Sequence, residues 1–158
     1  MTDNKLEIIK EIHGKILGVD FGDKRTGLAI SDTSRCLASG IGYVSPGGIE
    51  KTADEVARIA LERDVVAVIV GLPVNMDGSE GGRAQRCKKF GWLLEERLGG
   101  EIPVAMFDER MTTMTASRYL NETNTRGQKR KTVIDTLSAQ IILQNCLDRL
   151  KYMTAGDH

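Results

Sequence analysis

Four short segments of the chain carry acids, glycines and bases at spacings that suit chemistry on phosphates. In the first, Asp20 closes the apolar run Ile16-Leu17-Gly18-Val19 and is followed at once by Phe21-Gly22-Asp23-Lys24-Arg25. Glycine beside a strand-end carboxylate leaves room for a phosphate or a metal ion to approach the backbone. The segment has neither the G-x-x-x-x-G-K-[ST] nor the G-x-G-x-x-G spacing of the common nucleotide loops, and a hairpin turn with solvated aspartates explains it equally well. The second, Gly71 to Gly82, joins a β-branched run to a helix, where open α/β sheets tend to bind ligands, and it is long for such a connection. The third, Phe107-Asp108-Glu109-Arg110, sets two adjacent acids after another short apolar run; a surface turn held by a salt bridge is the plain alternative. In the fourth, Asp135 shares a helical face with Ala139, Ile142, Leu143, Cys146 and Leu150, so an acid heads an otherwise apolar stripe. Thr132 and Asp135 also have capping-box spacing, but a carboxylate facing the core must be paired or metal-bound.

Asp20, Glu109 (or its neighbour Asp108) and Asp135 come from three elements whose ends could converge. Three carboxylates without imidazole or thiolate make a hard-oxygen site for Mg²⁺ or Mn²⁺. Two such ions roughly 4 Å apart can activate water and stabilise a leaving oxygen in phosphodiester cleavage. Lys24, Arg25 and Arg110 would then meet the phosphate backbone, together with Arg126, Lys129, Arg130 and Lys131 of a basic segment that reads as a loop. His13 and His158 are the only histidines, near one end and at the other, which leaves an imidazole-based acid–base site poorly supported. Cys36, Cys87 and Cys146 are too far apart for a zinc knuckle and read as reduced, buried core thiols.

The elements that must position these groups follow from pattern. Lys15–Val19, Gly27–Ile30 and Leu37–Val44 read as three meandering strands. A helix from about Ile49, with Thr52 and Glu55 at capping-box spacing, precedes a strand at Val65–Val70 that is apolar throughout and so buried on both faces. A helix near Arg83–Leu98, a strand at Pro103–Phe107, a short helix near Thr113–Leu120 and a long helix from about Thr132 to Lys151 complete the chain. The expectation is an α/β fold, a five-stranded mixed sheet with its first three strands antiparallel and helices on both faces. A single domain spans residues 15–151, between tails at 1–14 and 152–158, with Leu6, Ile9 and Ile12 spaced for a short helix in the first. The 158 residues carry 22 basic and 22 acidic side chains, a balance that disfavours a strongly adhesive nucleic-acid binder. No apolar run approaches a membrane span, and the first residues have no secretory pattern, so a cytoplasmic protein is expected.

The four segments together resemble the YqgF-type Holliday-junction resolvases, also described as pre-16S rRNA nucleases, over about Lys15 to Leu150. The likeness rests on Gly18, Asp20, Gly22, Arg25, Gly27, Ala29, Ser31 and Asp32 in the first block. Gly71-Leu72-Pro73, Asn75 to Glu80, Gly82 and Ala84 carry the second. The third is Asp108-Glu109-Arg110 with Thr112-Thr113, and the fourth is Lys131, Asp135, Ala139 and Ile142-Leu143-Gln144. The resemblance implies an RNase H-like fold, metal ligands at Asp20, Glu109 and Asp135, and cleavage of structured RNA or branched DNA, with 5′-end maturation of precursor 16S rRNA as the task. Two other classes stand beside it. A phosphotransferase of the actin and sugar-kinase type shares the Asp-x-Gly turn but needs two copies of the fold. A non-catalytic RNA- or ribosome-binding factor would keep the fold without cutting. No organic cofactor is expected, and the protein is expected to act as a monomer or a homodimer.

Overall fold

The computed structural model describes the backbone over residues 2–111 and 127–156, and side chains over residues 5–110 and 136–153. In chain order the elements are α1 (Thr2–Glu11), β1 (Ile16–Asp20), β2 (Thr26–Ser31), β3 (Ala38–Val44), α2 (Ile49–Glu62), β4 (Ala67–Leu72), α3 (Gly82–Arg97) and β5 (Val104–Asp108). A single 3₁₀ turn (Glu109–Met111) follows β5, and α4 (Gly127–Gly156) closes the chain. The short helix expected near Thr113–Leu120 lies outside the described residues.

The five strands form one mixed sheet in the order β3-β2-β1-β4-β5. β1–β2 and β2–β3 pair antiparallel, whereas β1–β4 and β4–β5 pair parallel. Central β1 is therefore flanked by strands that leave in opposite senses, and its C-terminal end lies beside that of β4. Every residue of β4 is buried, as its uninterrupted apolar run requires. Alternation divides the strands between two cores. Leu17, Val19, Val68 and Val70 pack with Val56 of α2 and with Phe90 and Leu94 of α3. Ile16, Ala67, Ile69, Ala105 and Phe107 pack with Ala139, Ile142, Leu143 and Cys146 of α4. The apolar stripe read from the sequence of α4 is thus the face that covers the sheet.

The structure departs from the sequence reading in several places. The short helix through Leu6 and Ile9 forms as α1, but the segment is no free tail: α1 buries both residues in the second core. Its end is held by Arg35, whose guanidinium donates to the carbonyls of Ile9 (2.7 Å), Ile12 and Gly14 (2.9 Å). α4 starts at Gly127, so the basic segment from Lys129 to Lys131 is helix and Thr132 is no N-cap. Lys, Arg and Gln are good helix formers whose lack of apolar periodicity made the segment read as loop. Thr52 is no cap either: α2 begins three residues earlier, and the Thr52 hydroxyl donates to the Gly48 carbonyl at 2.7 Å. Finally, Cys36 is exposed in the turn between β2 and β3, while Cys87 and Cys146 are buried.

Candidate active site

The site forms at the C-terminal edge of β1, β4 and β5. Asp20 is the last residue of β1, on the same face as Gly18, which packs against Ala139 and Leu143 of α4. The next residue, Phe21, points to the other face and stacks on Phe90 of α3 with ring centroids 4.6 Å apart. That stacking fixes the strand end and so the direction of Asp20. The chain then turns sharply at Gly22, where any Cβ would collide with the Arg25 carbonyl.

Glu109 enters from the other side of β4. Val19 pairs with Val70 and Gly71 with Phe107, so Asp20 and Glu109 flank the Gly71 end of β4. The Glu109 carboxylate lies against Gly71: a Cβ there would stand 2.9 Å from Oε2 and 2.6 Å from Ile142 Cδ1. Glycine at this position keeps open the space the carboxylate occupies. Burial raises the Glu109 pKa above the usual carboxylate value, Arg83 opposes the rise and Asp108 adds to it.

Asp108 points elsewhere. It pairs with Arg110 at 2.7 Å and accepts the Arg110 backbone N–H at 2.9 Å. That pairing holds its pKa below the usual value, against a smaller opposing effect of burial. Arg110 in turn sits beside the β4–α3 loop, within reach of the Asp77 charge and near Gly78. The loop is braced internally. The Asn75 N–H donates to the Ser79 carbonyl (2.9 Å), and the Ser79 hydroxyl donates to Asp77 (2.6 Å). Ser79 does not cap α3; Gly81 precedes the helix, with no side chain on its first amides.

Two residues that sequence reasoning missed complete the geometry. Arg83, in the first turn of α3, places Nη2 at 3.9 Å from Asp20 Oδ1. Arg86, one turn on, is clamped by Asp23 at 2.8 Å. Together with Phe21, Gly22 and Asp23 they line a cleft of about 250 Å³ beside Asp20. The buried Cys87 beneath reports this cluster of charge. Burial pushes its thiol up to about 11, with Arg83 lowering it and Glu109, Asp20 and Asp23 raising it. The available signal was an arginine in the first turn of a helix, where the macrodipole disfavours a cation.

Of the other expected phosphate-binding residues, Lys24 is exposed and Arg25 half-buried in the β1–β2 turn. Arg110 is engaged by Asp108. Arg126 lies outside the described residues. Lys129, Arg130, Lys131 and Asp135 fall in α4, but their side chains lie outside the described set. Asp135 is one helical turn before Ala139, whose carbonyl would stand 3.3 Å from a Cβ at Gly18. Among the described residues no three acids, thiols or imidazoles gather as a metal site; Asp20 and Glu109 are two hard-oxygen donors at one sheet edge, a donor type that fits Mg²⁺ or Mn²⁺.

A family model described as RuvX, Holliday junction resolvase, matches residues 14–149. The chain belongs to the RuvX family. Relatives named "Putative pre-16S rRNA nuclease" include one from Caldanaerobacter subterraneus, 45% identical over 87% of this chain and 98% of its own length. Another, from Rhodospirillum centenum, is 40% identical over 88% of this chain and 76% of its own. The fold is that of RuvC from Thermus thermophilus, solved with a Holliday junction substrate (TM-score 0.57, 13% identity, 88% of this chain and 97% of that one). The yeast mitochondrial Holliday junction resolvase Ydc2 also matches (TM-score 0.50, 9% identity, 98% of this chain and 90% of that one). This RuvX-family chain is accordingly a nuclease with the RNase H-like α/β sheet. Among its described residues no helix is long and apolar enough to cross a membrane.

Proposed function

We propose that the protein is a divalent-metal-dependent endonuclease that hydrolyses phosphodiester bonds in structured nucleic acid, with precursor 16S rRNA as substrate and 5′-end maturation in the bacterial cytoplasm as its task. The observation that carries this reading is the pair Asp20 and Glu109 on either side of Gly71, with Glu109 inward and Asp108 turned away to Arg110. Asp20 and Glu109 would hold the metal, and Asp135 would supply a third carboxylate from α4. When bound, divalent ions in such a site polarise the phosphate and lower the pKa of a water. The protein's own part is placement. Phe21 stacked on Phe90 fixes Asp20, and Gly71 leaves the Glu109 carboxylate its seat. Lys24, Arg25 and the Lys129–Lys131 segment would meet the strand.

The relatives' names support the RNA substrate, and the family description supports a second reading, resolution of branched DNA. Cleavage assays on a precursor 16S transcript and on a four-way junction, in Mn²⁺, test both. Asp20→Asn is expected to stay folded and lose cleavage of whichever substrate the wild type cuts. Equal activity in rigorously purified mutant and wild type would overturn the assignment. Cleavage of the junction alone would transfer the task to DNA.

A further inference from the structure

Arg83 stands out among the arginines near the site for how loosely it is held. Arg86 is clamped by Asp23 at 2.8 Å, and Arg110 donates to both oxygens of Asp108 at 2.7–3.2 Å. Arg83 reaches Asp20 only at 3.9 Å, and its side chain remains 68% exposed. Among the described residues this is its one ion pair. It sits where a helix dipole disfavours a cation, in a first turn that contains no acid. Its charge nevertheless reaches Glu109 and Cys87 as well as Asp20. It also lines the cleft shared with Phe21, Gly22, Asp23 and Arg86, next in the chain to Asp20.

A cation so placed has two possible partners. Two carboxylates at one sheet edge repel each other, and a nearby guanidinium relieves that repulsion. A divalent ion on the same carboxylates does so more strongly and repels the guanidinium in turn. An exposed, flexible arginine is then free to turn to the best acceptor in reach, and a phosphate oxygen matches its fork geometry. We propose that Arg83 is a substrate-binding residue that exchanges partners: it neutralises Asp20 and Glu109 in the free protein and turns to a backbone phosphate of the nucleic acid when divalent metal takes those carboxylates. The inference rests on the reading of Asp20 and Glu109 as metal ligands.

The exchange predicts two effects of opposite sign. In the full chain without nucleic acid, Arg83→Gln should bind Mn²⁺ about three- to tenfold tighter by calorimetry, because a competitor and a repelling charge are gone. In cleavage assays the same variant should raise KM about tenfold with kcat changed less than about threefold, since glutamine cannot make a charge-assisted bond to phosphate. Arg83→Lys should lie near wild type for Mn²⁺ and between the two for KM. A variant that merely disturbs the site would weaken both. Mn²⁺ binding by Arg83→Gln no tighter than wild type overturns the exchange, as does an unchanged KM. Asp20→Asn separates the two layers of the argument. If Asp20→Asn abolishes Mn²⁺ binding while Arg83→Gln matches wild type, only the exchange fails; if Asp20→Asn binds Mn²⁺ as wild type does, the metal reading fails with it.

Discussion

Gly71→Ala probes the site through two neighbours that can be told apart. The added Cβ would stand 2.6 Å from Ile142 Cδ1, 2.9 Å from Glu109 Oε2 and 3.3 Å from Glu109 Cδ. Carbon–carbon separations settle near ~3.5–4.0 Å, so Ile142 must retreat by about 1 Å and the carboxylate by several tenths. Overpacking of this kind costs about 1–3 kcal/mol, or roughly 2–10 °C in Tm for a chain of this size. Shifting a reacting group by up to about 1 Å costs as much as about 100-fold in rate. Gly71→Ala should therefore lower kcat/KM by about 10- to 100-fold at temperatures where it is fully folded. Adding Ile142→Val deletes the Cδ1 methyl, so the double variant should recover most of the Tm deficit and none of the activity. Gly91→Ala, whose Cβ would meet only Met106 Sδ at 2.9 Å in the other core, should keep wild-type activity. Thermal melts and initial rates decide the matter. Full activity in Gly71→Ala, or joint rescue of Tm and activity by Ile142→Val, would refute the claim that Gly71 holds the seat of Glu109.

Arg35→Ala removes three bonds from the end of α1; a loss of about 2–4 kcal/mol and of amide-exchange protection over residues 2–14 is expected, and retained protection would contradict the tether. With Cys87 and Cys146 buried and their thiols pushed by burial up to about 11 and about 12, only exposed Cys36 should react with a thiol reagent at pH 8 before denaturation. Rapid modification of a second thiol in the native protein would argue against the packing of α3 or α4. Asp32 is held below its ordinary value of 3.8 by the Ser34 hydroxyl and by the N–H groups of Leu37 and Cys36. A depressed native pKa adds stability above the unfolded pKa that is lost as pH falls through the native one. The Tm deficit of Asp32→Ala should therefore be present at pH 7 and close below pH 3.8; a deficit unchanged at low pH would exclude the charge as its source. Neutralising Lys129, Arg130 and Lys131 should lower the salt dependence of binding, by about 0.9 in log–log slope for each duplex phosphate that the segment neutralises. An unchanged slope would remove the segment from the interface.

The sheet was legible because its signals were independent of context. Val65–Val70 lacks polar residues and so had to be buried on both faces. The stripe from Ala139 to Leu150 repeats at helical spacing, and both cores realise these patterns. Asp20 and Glu109 were legible as carboxylates at strand ends. Which of Asp108 and Glu109 lies against β4 was not, because it depends on a tertiary fact: Arg110 folds back on Asp108 while glycine at position 71 leaves a space for the Glu109 carboxylate. The docking of α1 was hidden for a similar reason, since its carbonyls are satisfied by an arginine in the β2–β3 turn. The first turns of α4 carry no apolar periodicity, so charge was read as loop where propensity favoured helix. Arg83 was overlooked because its one sequence signal, a cation in the first turn of a helix, does not say which acid it faces; that takes its distance to Asp20.

Anomalous diffraction from crystals soaked in Mn²⁺ tests the central claim most directly. The account predicts Mn²⁺ at the sheet edge, ligated by Asp20 and Glu109 at roughly 2.0–2.6 Å and joined by Asp135, with Asp108 still on Arg110. Crystals in which the Asp20 and Glu109 carboxylates diverge by more than about 8 Å and hold no ion would contradict it.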